Sequence, residues 1–134
     1  MANWLVKSEP GTYSFADLQR DGRTHWDGVR NNAAALHLKA MKLGDKVLFY
    51  HSQGGKAVVG IARVARAAFP DKTDPTGRFV AVELEPVRAL KRPVTLAQMK
   101  AEPALADMVM LRQGRLSVSP VKPVEWAAIL GMAG

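Results

Sequence analysis

The chain contains no cysteine, which excludes disulfides, zinc–thiolate centres and thiol nucleophiles together. That absence fits a reducing compartment. No run of about 18 apolar residues occurs, so no transmembrane helix is expected. Residues 2–5 lead straight into an apolar, strand-like run, without the basic and apolar regions of a signal peptide. A soluble cytoplasmic protein is expected. Acidic residues are scarce, 12 Asp and Glu against 19 Lys and Arg, for a formal charge of +7. A balance this basic is the first element in the footprint of a nucleic-acid binder, with simple solubility as the alternative. Only three histidines are present. His25, His37 and His51 lack metal-ligand spacing, so no metal site is expected. Phosphate-loop, dinucleotide and nucleophile-elbow motifs are also missing. Asp71 and Asp74 flank Thr73 in a loop and read as turn-capping carboxylates rather than a catalytic pair. No enzyme activity and no cofactor are expected.

What is present describes a globular chain. Hydrophobic residues make up 48% of 134 positions, enough for a real core within one domain. Residues 4–7 read as a strand that runs into the Ser8-Glu9-Pro10-Gly11 turn. Ser14 and Asp17 have capping-box spacing, and Gly22 ends a short helix at about Asp21. Residues 26–31 form a polar connection. Ala35, Leu38 and Met41 recur at helical spacing over 32–42. Residues 46–51 form a strand apolar on both faces, followed by a glycine-pair turn at Gly54-Gly55. Residues 57–68 form a long strand in which Gly60 marks a bulge or a close backbone approach.

Residues 79–84 form a further strand, and Pro86 and Pro93 bracket a separate short segment. Thr95 caps a helix over 96–100 that Pro103 stops. Residues 116–118 read as a short strand. Pro123 opens a last, amphipathic helix over 124–130, closed by Gly131, from which Trp126 reads as a core residue with Ile129 and Leu130. The pattern is α+β, a small curled sheet or open barrel decorated by helices.

The chemistry concentrates in WDGVRN, residues 26–31, and in the run that ends at Ser52. An indole with amide, hydroxyl, guanidinium and imidazole groups nearby is a way to hold a flat polar ligand such as a nucleobase. Trp26 is the stacking candidate, against the alternative of a core tryptophan. Lys7 and Ser8 end the first strand, where a barrel mouth would gather them. Arg30 and Asn31 supply paired hydrogen bonds for phosphate or a base edge. Alternatively, Arg30 pairs with Asp27 or Asp45, and Asn31 caps the next helix. Tyr50 and Ser52 point to one side of their strand and His51 to the other. Any of the three is a candidate wall residue, although His51 has an equally ordinary structural reading.

Five blocks in order carry a family resemblance: WLVKSEP, WDGVRN, MKLGDKVLFYHS, VVGIARVARAAFPD, and RLSV with PVKPVEW. Together they resemble the EVE domain family and span nearly the whole chain. The resemblance implies a PUA-like pseudo-barrel, related to readers of methylated adenine in RNA. It implies a non-catalytic reader of a modified base, cytosine or adenine, most often in DNA. It also puts Trp26 in the pocket, favours a ligand role for Arg30, and adds Leu116 and Ser117 as residues that complete the pocket. The alternative for 116–118 is a plain core strand. The chain departs from the family pattern at Asn32, Ala35 and Leu36, and resembles the compact bacterial-type form, expected as a monomer. Three functions follow: a reader of modified DNA, a module for structured or modified RNA, or a pocket for something other than nucleic acid.

Overall fold

The structure, a computed structural model, describes residues 2–134. Its centre is β3 (Lys46–His51), flanked by β1 (Asn3–Ser8) in parallel and by β4 (Ala57–Pro70) in antiparallel. β5 (Val80–Thr95) continues the sheet beyond β4, β2 (Thr24–Trp26) closes that side, and β6 (Val118–Val121) pairs with β1 at the other. The order is β2-β5-β4-β3-β1-β6. β2 and β6 remain edges, so the curled sheet expected from the sequence is open and does not close into a barrel.

Alternation along β1 and β3 divides the core in two. Trp4, Val6, Val47 and Phe49 pack with Phe15 and Leu18 of α1 (Phe15–Asp21) and with Ala34 and Leu38 of α2 (Asn32–Ala40). Leu5, Leu48 and Tyr50 pack with Met99 of α3 (Leu96–Ala101), Met110 of α4 (Val109–Arg112) and Ile129 of α5 (Pro123–Met132). Burying a side chain of this size contributes about 1.5–3 kcal/mol, and both faces of the central strands gain it.

Local chemistry sets the helix ends. The Ser14 hydroxyl accepts from the Asp17 N–H, and the Asp17 carboxylate accepts from the Ser14 N–H, at 3.0 and 2.9 Å. Gly22, at φ 76°, closes α1 by donating to the Leu18 carbonyl. Thr95 and Gln98 form the same reciprocal cap on α3.

Elsewhere the sequence pattern and the structure differ. Residues 79–84 and the proline-bracketed segment form one sixteen-residue strand, β5. Beyond Leu84 its outer side has no neighbouring strand, and there Pro86 and Pro93 can lack an N–H at little cost. The polar connection begins later than the sequence implied, because Trp26 ends β2. The last strand starts at Val118: Leu116 lies in a turn, its N–H donating to the Gln113 carbonyl. α5 runs through Gly131, held by the burial of Ile129 and Ala133 and by the bond from the Ala133 N–H to the Ile129 carbonyl.

Gly60 meets both expectations placed on it. The pairing register shifts beside it on both neighbouring strands, and a Cβ there would lie 2.5–2.6 Å from the Phe15 ring. Gly60→Ala should therefore destabilise the fold by about 1–3 kcal/mol, the usual cost of overpacking. Urea unfolding midpoints measure this, and Phe15→Leu in the same chain should recover part of the loss. An unchanged midpoint in Gly60→Ala would show that the ring is free to move away.

Candidate functional site

β2 is only three residues long, and pairing of Trp26 with Val82 fixes the indole over the end of the sheet. The rings of Trp26 and Phe49 pack T-shaped, with centroids 5.5 Å apart at 80°, and those of Trp26 and Tyr13 do so at 6.5 Å and 76°. The indole is half-buried and forms one wall of an open cup of about 460 Å³, within the size range of small-ligand pockets. Ser8, Thr12, Tyr13, Thr24, His25 and Asp27 line the rest. The turn after β1 brings these groups together, as the N–H groups of Thr12 and Tyr13 both donate to the Glu9 carbonyl. The Ser8 hydroxyl donates to the Tyr13 carbonyl at 2.6 Å, which leaves its lone pairs as acceptors. The Tyr13 hydroxyl donates to Asp21 at 2.9 Å. Burial first of all, with the Asp21 charge beside it, raises its pKa. The cup thus offers an aromatic face, acceptors at Ser8 and Asp27, and a neutral phenol.

The rim next to Trp26 is held by one carboxylate. Asp71, its side chain fully buried, accepts from the Gly28 N–H at 2.8 Å and from Arg30 at 3.0 Å. Its other oxygen accepts from the Thr73 N–H and hydroxyl at 2.7 and 2.6 Å. Burial alone would raise the Asp71 pKa, but the Thr73, Gly28 and Arg30 donors hold it far below the ordinary value. Asp74 is similarly held at about 2, foremost by the Thr76 hydroxyl. Both are turn-capping carboxylates, as the sequence indicated. Arg30 therefore pairs with Asp71, not with Asp27 or Asp45. It also donates to the Thr73 hydroxyl and lies over the Phe79 ring at 5.1 Å. Asp45 is taken by the Trp4 indole N–H and the Lys42 N–H.

The remaining sequence candidates divide between places. Asn31 caps α2, its side-chain oxygen accepting from the Ala34 N–H at 3.0 Å. Leu116 is core, and with Asn31 and Arg115 it borders a separate shallow groove. The Ser117 carbonyl accepts from the Lys7 N–H. His51 accepts from the Phe15 N–H through Nε2 at 3.1 Å, anchoring the start of α1. Lys7, Tyr50 and Ser52 line a second cavity on the α3–α4 face, so they do not meet Trp26. The family departures Asn32, Ala35 and Leu36 lie on α2, in a groove with Arg78 and Phe79. Sequence reasoning missed Thr12, Tyr13, Thr24 and Asp27. The signal for the first two was the Pro10-Gly11 turn, which returns the chain across Ser8. Among the described residues, no cluster of three or more His, Asp or Glu is arranged to hold a metal ion. Nor is any helix long and apolar enough to cross a membrane.

Burial lowers the His51 pKa below its ordinary 6.5. The folded chain therefore favours the neutral ring, and the unfolded chain binds more protons below that value. The stability His51 contributes is present above pH 6.5 and is lost as pH falls below it. His51→Gln keeps an acceptor for the Phe15 N–H and should flatten the decline in stability between pH 7.5 and 5.5, measured by urea unfolding at each pH. An equally steep decline in the variant would assign the pH dependence to other groups, such as His37.

The sequence profile of the EVE domain matches residues 2–132. Rpa0253 from Rhodopseudomonas palustris, solved by NMR, is 48% identical, with a TM-score of 0.95, and the match covers 100% of this chain and 94% of that one. Human thymocyte nuclear protein 1 is 32% identical over 98% of this chain and 73% of its own length. A crystal structure of human THYN1 in complex with 5-methylcytosine-containing DNA superposes with a TM-score of 0.93 at 31% identity, over 99% of this chain and 98% of that one.

Proposed function

The chain belongs to the EVE domain family, and from that membership we propose that it is a non-catalytic nucleic-acid-binding module that captures one modified base of DNA in the Trp26 cup. The observation that carries this reading is the half-buried indole, packed T-shaped against Phe49 and Tyr13 over a cavity with unused acceptors at Ser8 and Asp27. A carboxylate or hydroxyl acceptor suits the exocyclic amine of cytosine or adenine. The likeness to a protein crystallised with 5-methylcytosine-containing DNA favours cytosine and its 5-methyl group.

Energies fit this role. Stacking on an aromatic ring contributes about 1–3 kcal/mol per base, while extruding a base costs a few kcal/mol. Edge contacts and the attraction of a +7 chain for phosphate must supply the difference, so binding should weaken with salt. Arg30 and Asn31 act by holding the rim and α2 in place, through Asp71 and the Ala34 N–H.

Short duplexes carrying cytosine, 5-methylcytosine or 5-hydroxymethylcytosine, plain or methylated adenine, and matched RNA would be titrated against intrinsic fluorescence at two salt concentrations. The expected result is preference for one modified cytosine in DNA. Trp26→Ala should lose at least about tenfold in affinity, the weight of one stacking contact, while circular dichroism shows the fold retained. Equal affinity for every duplex, unaltered in Trp26→Ala, would sink the proposal. Selective binding of RNA would move the partner from DNA to RNA.

A further inference from the structure

The sheet has a second built cavity, on the opposite face from Trp26. It encloses about 250 Å³ between the ends of β1 and β3, the turn into β4, and helices α3 and α4. Three lysines reach it: Lys7 from β1, Lys56 from the start of β4's approach, and Lys100 from α3. No carboxylate lines it. Every ion pair among the described residues uses an arginine, so the three ammonium groups are uncompensated. Lys7 is aimed by one bond to the Gly114 carbonyl at 2.7 Å, leaving two of its three protons free.

A second, independent observation lies at the cavity wall. Tyr50 is only 3% exposed, yet its hydroxyl has no hydrogen-bond partner among the described residues. It is also not sealed from solvent, since Ser119 Oγ is the buried unpaired side-chain atom among the described residues. Tyr50 lines the cavity, so this hydroxyl, open to water, is free to donate to a ligand. Ser52 adds another hydroxyl, and Leu96, Met110 and Leu111 supply an apolar floor. Three cations and two hydroxyls around a small cavity match the charge and acceptor number of a phosphate group, for which lysine serves as a point-charge partner.

We propose that the Lys7–Tyr50–Ser52–Lys56–Lys100 cavity is a phosphate-binding site, separate from the Trp26 cup. The phosphate is either a diester of a bound nucleic acid or a monoester of a small molecule whose organic part rests on Leu96 and Met110. Burial already lowers the Lys7 pKa and raises that of Tyr50, and a bound phosphate would reverse the first shift. The site is independent of base capture at Trp26.

The test is a 15N heteronuclear NMR titration of the full chain at constant ionic strength, with inorganic phosphate, deoxycytidine monophosphate and a short DNA duplex. Saturable shifts confined to residues around Lys7, Tyr50, Ser52, Lys100 and Gly114 are expected with at least one probe. Lys56→Met with Lys100→Met, both on exposed positions, should weaken that binding at least about tenfold, the loss expected on removing charge-assisted bonds. Tyr50→Phe should weaken it less and leave the fold intact. Trp26→Ala should leave phosphate and monophosphate binding unchanged, which separates this site from the base cup. Saturation by monophosphate but not duplex identifies a small-molecule monoester as the source. Saturation by duplex, with phosphate competing, identifies the backbone. Linear, unsaturable shifts spread over many surface lysines, or saturable shifts unaffected by the lysine double variant, would overturn the proposal.

Discussion

The parallel pairing of β1 with β3 is the constraint on which the rest of the molecule depends. Both strands are buried on both faces, so their register cannot slip by one residue without exchanging the two halves of the core. That register sets Lys7 opposite Tyr50 and Ser8 opposite His51. Adjacent residues then serve opposite sides of the sheet: Ser8 meets the Trp26 cup and Lys7 meets the lysine cavity. Two cavities share one strand end because strand geometry sends neighbours apart.

Around that centre, polar groups do more to fix loops than to await a ligand. Asp71 joins the segment after β2 to the loop between β4 and β5 through Gly28, Arg30 and Thr73. Asp45 does the same for the α2–β3 connection, binding the Trp4 indole and the Lys42 N–H while the Gly44 N–H donates to the Val64 carbonyl. Each is a carboxylate taken from water and satisfied by several donors, so removing it would strand buried N–H groups. The acceptor lone pairs of Ser8, the Asp27 carboxylate and the Tyr50 hydroxyl are left to solvent or a ligand.

Much of the fold was legible in the chain. The caps at Ser14 and Thr95, the strand over 46–51 and the tight approach at Gly60 follow from local chemistry, which acts at short range. The continuous β5 was not legible, because proline normally ends a strand. It is tolerated here only since the outer flank is open, a fact of the whole sheet. β2 was hidden for a similar reason: three residues carry no periodicity, and the pairing with Leu84, Glu83 and Val82 creates the strand. For the site, Trp26 and Ser8 could be named from residue type. Grouping them with Lys7, Tyr50 and Ser52 could not succeed from type alone, since only the register shows which side each faces. The pairing of Arg30 with Asp71 rather than Asp27 or Asp45 was not legible because it spans 41 residues.

The sheet's openness has a consequence for how the protein behaves in crowded solution. Unpaired strand edges invite edge-to-edge association and aggregation. Here one edge, β2, is three residues long, and the other, β6, is four residues long and carries Pro120. Neither presents enough consecutive donors and acceptors to template a foreign strand, and the longer open flank of β5 beyond Leu84 is interrupted by Pro86 and Pro93 and carries Arg88, Lys91 and Arg92. The chain can leave its sheet unclosed, and so keep its cavities accessible, without becoming self-adhesive.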